Sequence, residues 1–498
     1  MKRYGKRCAA LALALTMALL CALPQPALAS WALGEELMER TVELASGAAL
    51  TGQSLWSASR SDLRTEHYIT YTPGGAVKPV VFSGTYVAST NTVASAAAQM
   101  EAQGWRVVAA INGGFFNSDG TIVGMLMTDG VVRALDVFNY AMLGFTRDGQ
   151  VFIDESAPVL TAAWTAMEPA VQPEPDTQPD PETEPEPELT AAPRSFRVAG
   201  FNAYRTTDYN GGLYLYNKDF SSRVNSLGTC VYAILRPVGE DGMKMNGSMT
   251  FEVVSVTDTA VEGTAFDGVI PEGCYMLYGE DHDNAELLGA LRGLIPGASV
   301  SLTLTGVDER WKDAAYGVSG LYALLRGGEI VDGLPAAANP NTAVGIKEDG
   351  SAVFYTIDGR QSGYSVGATY AQVAERLQEL GCVSAVALDG GGSTTLGATL
   401  PGSEGFAVAN RPSTTGRRIN NTILRVVPAE EPIVTPGAYV SAQRQVVLAG
   451  AELLLSAAAY DAFGNPTGQQ DLNWTAQGGT IAADGASAVY TAGTEAGS

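Results

Sequence analysis

The segment 352–395 constrains the fold more strongly than any other part of the chain. It opens with six residues, five of them apolar, that are typical of a buried strand, and Thr369 and Gln372 then supply the two halves of a helix capping box. Gly381 can end that helix, and a second apolar strand covers residues 383–388. A strand, a helix and a strand of these lengths predict a right-handed crossover between parallel strands, which is a βαβ element.

An Asp-Gly-Gly-Gly run follows the second of these strands, where Asp389 precedes Gly390, Gly391 and Gly392. Because glycine has no side chain, such a turn can bring backbone N–H groups close to a polar ligand beside the carboxylate. Asp358 follows the first strand, and open α/β sheets bind ligands at the carboxyl ends of their strands. The pattern predicts a site with both aspartates, although a simple Asp-Gly turn is an alternative for each.

A related phrase with an amide in place of the acid occurs upstream. Asn112, Gly113 and Gly114 follow an apolar strand that is preceded by a helical stretch and a glycine, as is the strand before Asp389. We interpret the two phrases as related loops that face one site.

Composition restricts the chemistry that is available to such a site. The chain has 53 acidic and 30 basic residues, and its net charge of −23 disfavours a nucleic-acid partner. His67 and His282 are the only histidines and lie in no partner motif, which argues against a Ser-His-Asp system and a histidine-rich metal site. Carboxylates, amides, hydroxyls and arginines remain, and no cofactor is required. This set suits cleavage of a glycosidic bond to phosphate, because arginines can hold the departing oxyanion.

The N-terminus has the pattern of a secretory signal peptide. Four basic residues within the first seven are followed by an apolar stretch over residues 8–23 and by the small-residue cleavage site Ala27-Leu28-Ala29. The pattern predicts removal of residues 1–29 and a mature protein that is secreted, either extracellular or associated with the cell wall. No membrane span is expected after cleavage.

Two further segments divide the mature chain. An acidic, proline-rich run at about 165–193 cannot bury a core, so it is either a domain boundary or an insertion within one domain. Residues 433–498 alternate like the strands of a bacterial Ig-like sandwich but are too few for a complete one. We predict an α+β (mixed α/β) catalytic domain with βαβ elements over residues 60–428, followed by an all-β Ig-like sandwich that is incomplete at Ser498.

Several ordered blocks of the chain resemble the phosphodiester glycosidase family. The similarity covers roughly residues 68–427 and flanks the acidic run on both sides, which favours an insertion. The resemblance implies hydrolysis of a sugar-1-phosphodiester, of the N-acetylglucosamine-1-phosphodiester type, to free sugar and a phosphomonoester. The blocks that carry it are Ile111 to Phe116, Asn202 to Arg205, Asn339 to Gly345, Asp358 to Arg360, Gly363 to Thr369, Leu388 to Ser393, Asn410 to Pro412 and Arg417 to Asn421.

The resemblance also implies roles for individual residues, with Asp389, Asn112 and Asp358 as catalytic residues. The chain departs from the family at Asn341, where an arginine is usual, and at Arg418, where proline is frequent. Arg418 could compensate for the missing guanidinium. The residues that would bind substrate are Gly113, Gly114, Arg205, Thr342, Arg360, Gly390, Gly391, Gly392, Ser393, Thr394, Asn410, Arg417 and Asn421.

Three functions are compatible with these observations. The leading hypothesis is a secreted hydrolase that cleaves phosphodiester-linked sugars in a cell envelope or extracellular polysaccharide, with the Ig-like domain contacting surface glycans. The first alternative is a binding protein that keeps the pocket without turnover, which Asn341 favours. The second is a metal-dependent phosphodiesterase in which Asp358 and Asp389 are hard oxygen ligands of a divalent cation.

Overall fold

Strands dominate the architecture, making up 49% of the described residues against 8% for helices. The predicted α+β class is therefore wrong, and the chain is mostly β. The computed structural model describes residues 30–136, 140–169, 189–205, 212–221, 223–226, 228–239, 242–280, 284–442, 444 and 446–494. The helices of these residues are the α-helices Val93–Glu101, Ala285–Arg292 and Tyr370–Glu379 and the 3-10 helices Glu309–Lys312 and Gly391–Ser393.

A nine-stranded sheet contains both strands of the predicted βαβ element. Every neighbouring pair in this sheet is antiparallel. In spatial order its strands are Ser30–Trp31, Gly34–Ala45, Ala48–Ser57, Asp62–Tyr71, Ala352–Ile357, Asn341–Lys347, Cys382–Ala387, Tyr322–Arg326 and Glu329–Ile330.

The strand between the two explains why the βαβ prediction is wrong. Ala352–Ile357 and Cys382–Ala387 run in the same direction, but Asn341–Lys347 lies between them and pairs antiparallel with both. Asn341–Lys347 and Ala352–Ile357 form a hairpin, so the following helix carries the chain to the far side of that hairpin. The helix itself agrees with the sequence prediction, and the capping box of Thr369 and Gln372 is present.

A twelve-stranded sheet includes the two strands that flank the acidic run. Val159–Pro169 and Leu189–Phe201 pair antiparallel, so both ends of the predicted 165–193 insertion are strands of one hairpin. Residues 170–188, like the predicted signal peptide at 1–29 and His282, lie outside the described residues. In spatial order the strands are Val151–Asp154, Met142–Thr146, Ala314–Ser319, Met125–Thr128, Val131–Asp136, Leu189–Phe201, Val159–Pro169, Ser299–Thr305, Ser248–Asp258, Cys230–Pro237, Tyr275–Glu280 and Leu213–Asn217.

A five-stranded sheet packs against the nine-stranded one. Buried Ile111 and Ile423 of the smaller sheet share an apolar cluster with Val344 and Phe354 of the larger one. Alternate residues of the smaller sheet face the helix Val93–Glu101 instead. This packing places the C-terminal end of the strand Trp105–Asn112 in the smaller sheet beside the segment that follows the strand Cys382–Ala387 in the larger sheet. In spatial order the strands are Ala407–Val408, Leu396–Ala398, Trp105–Asn112, Asn421–Pro428 and Lys78–Ser83.

A four-stranded antiparallel sheet lies at the C-terminal end of the described chain. It contacts the preceding region through Arg40, which donates to the Val440 carbonyl at 2.7 Å, and through Arg106, which donates to Asn465 at 2.8 Å. The Ig-like classification and the domain limits stay predictions. Among the described residues, no helix combines the length and the hydropathy that a membrane crossing needs. The strands are Gly437–Ala442, Glu452–Tyr460, Ser487–Ala492 and Gly479–Asp484.

Candidate active site

Asn112 links the five-stranded sheet to the nine-stranded sheet at the candidate site. It ends the strand Trp105–Asn112 and is fully buried. Its side-chain amide donates to the Asp389 carbonyl at 2.6 Å, while its Oδ1 accepts from the Thr342 hydroxyl at 2.8 Å and the Thr395 N–H at 3.0 Å. Because these partners occupy both ends of the amide, Asn112 holds the Asp389 loop, Thr342 and Thr395 in position relative to one another.

Gly113 and Gly114 are required by close packing. A Cβ at Gly113 would lie 1.9 Å from Asn421 Oδ1, and one at Gly114 would lie 2.3 Å from the Ser319 carbonyl oxygen. The Gly113 N–H donates to the Asn421 carbonyl, and the Gly114 N–H to the Asn421 side chain, both at 2.9 Å. These two N–H groups are thus used inside the protein, and the buried Asn421 fixes the loop.

The Asp389 loop is anchored on both sides. The Asp389 N–H donates to the Gly113 carbonyl at 3.1 Å, and the Gly391 N–H donates to the Pro340 carbonyl at 2.8 Å. Gly391 has a φ of +61°, a conformation that glycine adopts without the cost borne by other residues. The Ser393 N–H closes the turn onto the Gly390 carbonyl at 3.1 Å. Most of the loop's N–H groups therefore hold the loop itself.

Asp389 is partly exposed as a residue, but its carboxylate is sufficiently buried to destabilise the ionised form. Burial raises its pKa to about 6, although the Ser393 hydroxyl, the Arg417 charge and the Gly390 N–H favour ionisation. A carboxylate with this pKa is ionised at neutral pH and remains basic enough to accept a proton or attack a carbon centre.

Asp358 is instead saturated by protein donors. It follows the strand Ala352–Ile357, so it lies at the same sheet edge as Asp389, and it is 2% exposed. Its carboxylate accepts hydrogen bonds from Asn410 at 2.7 Å, the Arg411 N–H at 2.9 Å and the Tyr364 hydroxyl at 3.0 Å. Burial raises the pKa of Asp358, and these bonds offset part of that effect.

Asn410 links the Asp358 cluster to the Asp389 loop. Its Nδ2 also donates to the Thr394 carbonyl at 3.2 Å, and its Oδ1 accepts from the Leu396 N–H at 2.8 Å. The Thr394 hydroxyl lies 3.4 Å from the Thr342 hydroxyl, which is bonded to Asn112. A continuous polar network therefore fixes both loops.

A cleft of about 560 Å³ adjoins this network. Arg411 and Arg417 line it, and its described lining includes no carboxylate. Arg417 lies 5.5 Å from the centre of the Phe116 ring, and its charge acts on the Asp389 carboxylate. A Cβ at Gly392 would lie 2.7 Å from a cleft residue, the Thr414 hydroxyl, which places the glycine loop at the cleft wall.

Arg360 also contacts the glycine loop. Its Nη2 lies 3.2 Å from the Cβ position of Gly391 and donates to Asn339 Oδ1 at 2.9 Å. Among the described residues, neither Arg360 nor Arg411 nor Arg417 has a carboxylate oxygen within 4.0 Å. These exposed guanidinium groups are available to an anionic ligand.

Arg205 is not joined to the other predicted site residues by any bond of the described chain. It donates to the Asn225 carbonyl, lies 3.7 Å from Glu280 Oε1 and stacks on the Tyr278 ring at 4.3 Å. These contacts place it in an aromatic cluster of the twelve-stranded sheet.

The two departures from the family pattern are also explained locally. Asn341 is 3% exposed, and its amide donates to the carbonyls of Asn339 at 2.9 Å and Ala368 at 2.7 Å. Arg418 donates to the carbonyl and the hydroxyl of Thr90. Neither contact supports the idea that Arg418 replaces the missing guanidinium.

Arg411 and Tyr364 are the site residues that sequence reasoning did not select. Both lie within blocks that carried the family resemblance, 410–412 and 363–369. Each is a single loop residue whose partner, Asp358, is not a neighbour in a regular element, so no periodic pattern marks it.

The described residues contain no group of three or more His, Cys, Asp or Glu side chains that could hold a metal ion. The three donors on Asp358 also occupy the oxygens that the metal-dependent alternative would use.

Comparison with known proteins adds a family match for part of the chain. Residues 244–425 match the model of the phosphodiester glycosidase family. This segment includes Asp358, Asp389 and Arg417, excludes the Asn112 loop, and is less than half of the chain. No curated protein matches the chain in sequence.

Solved structures resemble the chain in fold. A hypothetical protein from Synechocystis aligns with a TM-score of 0.57 and 16% identity over 78% of this chain and 64% of that one. A predicted exported protein from Burkholderia pseudomallei aligns with a TM-score of 0.55 and 16% identity over 78% of this chain and 96% of that one. The chain thus spans less than two thirds of the Synechocystis protein, and identities this low show the fold alone.

The catalytic domain of zebrafish N-acetylglucosamine-1-phosphodiester alpha-N-acetylglucosaminidase, auto-inhibited by its pro-peptide, is a weaker neighbour. It aligns at 14% identity over 78% of this chain and 87% of that one, with a TM-score of 0.35 that supports no argument about fold. By the family match, residues 244–425 are similar to the phosphodiester glycosidases, which are hydrolases acting on sugar phosphodiesters.

Proposed function

We propose that the chain is a secreted hydrolase that cleaves the glycosidic bond of sugar-1-phosphodiesters, of the N-acetylglucosamine-1-phosphodiester type, in cell-envelope or extracellular glycans. One observation carries the proposal: the Asp389 carboxylate, with a pKa of about 6, lies within reach of the charge of Arg417, which lines a cleft together with Arg411. The family match over residues 244–425 and the signal-peptide pattern of residues 1–29 support it.

In the proposed mechanism, ionised Asp389 acts at the anomeric carbon, either as the nucleophile or as the base that activates water. The bond from that carbon to the phosphate oxygen breaks, and its electron pair leaves with the phosphate as a phosphomonoester. Water supplies the hydroxyl of the free sugar. Because phosphate is a good leaving group, its departure depends more on cationic donors than on a strong general acid. Arg360, Arg411 and Arg417 are the available donors.

The remaining network would hold Asp389 in place. Asn112 donates to the Asp389 carbonyl, and Asp358 accepts a hydrogen bond from the N–H of Arg411, which lines the cleft. A reacting carboxylate must be held within a fraction of an ångström of its productive position, which a network of satisfied buried groups provides. The two residues are therefore proposed as positioning residues of the reaction.

The proposal is tested with the secreted form, beginning near Ser30, and an N-acetylglucosamine-1-phosphodiester. Free sugar and phosphomonoester are measured as products. Asp389→Asn should abolish both, whereas Asp332→Asn, at an exposed loop position, should leave both unchanged. Activity that survives Asp389→Asn would refute the proposed role.

A binding protein without turnover is the second candidate, because Asn341 is buried and offers no cation where the family usually has one. Binding of the diester without any product would favour it. Loss of activity with a chelator, together with phosphate left on the sugar, would instead indicate a metal-dependent phosphodiesterase.

A further inference from the structure

The cleft that adjoins the Asp389 loop is lined by positive charge, although the protein as a whole is strongly negative. The chain carries 53 acidic residues, yet the described lining of the cleft holds two arginines and no carboxylate. The lining also includes Thr92, Val93 and Ala94, which begin the helix Val93–Glu101, and that helix has no acidic residue in its first turn. The first N–H groups of a helix have no intrahelical partner and carry partial positive charge. The surroundings of the cleft therefore favour an anion.

Arg411 is held at this cleft by its main chain and by its side chain. Its N–H donates to Asp358 at 2.9 Å, and its carbonyl accepts from the Gln361 amide at 2.8 Å. Its guanidinium carbon lies 5.0 Å from the centre of the Tyr364 ring. The group is thus directed without a close ion pair: its charge favours ionisation of Asp358, but no carboxylate oxygen of the described residues lies within 4.0 Å of it.

Tyr364 connects that ring to the buried carboxylate. Its hydroxyl donates to the same Asp358 oxygen that accepts the Arg411 N–H, at 3.0 Å. Asp358 therefore orients both the backbone of Arg411 and the ring under its guanidinium. A planar guanidinium fixed on an aromatic face is well suited to bidentate contact with a phosphate.

We propose that Arg411 binds the phosphate group of the substrate in the 408–417 cleft, and that Asp358 and Tyr364 are positioning residues that act through Arg411. The assignment rests on the proposed function for the identity of the diester, but the anion site can be tested without turnover.

The first experiment measures binding of inorganic phosphate to the secreted form by calorimetry or by chemical-shift titration. Arg411→Gln should weaken binding about 10-fold, the effect expected for losing charge-assisted hydrogen bonds. Arg236→Gln, at an exposed strand position, is the matched control and should not change it. Equal phosphate affinity in wild type and Arg411→Gln would overturn the proposal.

The second experiment separates positioning from catalysis by steady-state kinetics on the diester. Tyr364→Phe keeps the ring but removes its hydrogen bond to Asp358, so KM should rise about 2- to 5-fold with kcat nearly unchanged. Asp358→Asn should raise KM about as much as Arg411→Gln, and the double variant should be no worse than Arg411→Gln alone, because both act through one group. Asp358→Asn that abolishes kcat while phosphate binding is intact would overturn the positioning role.

The two proposals fail in different ways. Arg411-dependent phosphate binding without hydrolysis of any sugar phosphodiester would refute the proposed function but support the anion site. Hydrolysis that requires Asp389 but shows the same KM and the same inhibition by phosphate in Arg411→Gln would do the reverse.

Discussion

Asp358 and Asp389 follow two strands that run in the same direction in one sheet, and burial raises the pKa of both, but they differ in exposure and in which segments donate to them. Asp358 is 2% exposed and accepts hydrogen bonds from Asn410, Arg411 and Tyr364. Asp389 is partly exposed, and burial raises its pKa to about 6. The difference teaches that two carboxylates at one sheet edge can have different surroundings, and the more exposed one, Asp389, is the one that we propose as the reacting group.

The largest expected effect is the contrast between the two aspartate variants. Asp389→Asn should lower kcat/KM about 10³-fold, within the usual range for removing a base or nucleophile, while Asp358→Asn should lower it about 10-fold through KM. Steady-state kinetics on an N-acetylglucosamine-1-phosphodiester measures both, with Asp332→Asn as the control. Equal losses of kcat in the two variants would break the comparison.

A pH profile would sharpen the comparison further. If Asp389 must be ionised, kcat/KM should fall about tenfold per pH unit below pH 6 and be flat above it. Asp358→Asn should keep this acidic limb, because the titrating group is Asp389. A rate that instead rises as pH falls through 6 would make Asp389 a general acid.

The Asn112 amide should matter more for stability than for chemistry. Asn112→Ala removes bonds to the Asp389 carbonyl, the Thr342 hydroxyl and the Thr395 N–H and leaves these buried groups unsatisfied. We expect the free energy of unfolding to fall by about 2–3 kcal/mol in urea denaturation. Asn473→Ala, at an exposed position, should be near neutral, and an equal loss there would contradict this reading.

The smallest expected effect is on the stability of Asp389→Asn itself. The folded pKa of about 6 exceeds the ordinary value of 3.8, so the folded state binds the extra proton between these values and its stability decreases as pH rises through this window. The variant should therefore be more stable than wild type by about 1 kcal/mol above pH 6, a figure reduced for partial exposure, and equal to it below pH 4. Urea denaturation at pH 7.5 and pH 3.5 gives the test, and lower stability of the variant at pH 7.5 would show that the carboxylate is instead well stabilised.

Local patterns in the sequence predicted local structure well. The capping box of Thr369 and Gln372, the helix Tyr370–Glu379 and the strands on either side of it are confirmed. The βαβ element was wrong because pairing partners are not local, and the strand Asn341–Lys347 inserts between the two. A strand–helix–strand pattern therefore predicts that the two strands run in the same direction more reliably than it predicts that they are neighbours in the sheet.

The site shows the same division. The phrases around Asn112 and Asp389 predicted two related loops that face one site, and the structure brings these loops into contact through the bonds of the Asn112 amide and the Gly113 carbonyl to the Asp389 backbone. Gly113 and Gly114 were predicted to bind substrate; the structure shows that packing against Asn421 and Ser319 requires glycine at both positions and that their N–H groups donate to Asn421. Sequence spacing cannot report which backbone will approach a glycine.

The sequence by itself determined where the polar loops lie and that carboxylates, amides and arginines must supply any chemistry. The tertiary structure decided how far each carboxylate is shielded, because Asn410 and Arg411 reach Asp358 from a segment far along the chain, whereas the donors to Asp389, Ser393 and Gly390, are its own neighbours in sequence. It also decided that Arg411 lines the cleft, since Asp358 fixes its backbone across 53 residues of sequence. Electrostatics in a protein depends on distance and solvent access, and only the folded chain sets those.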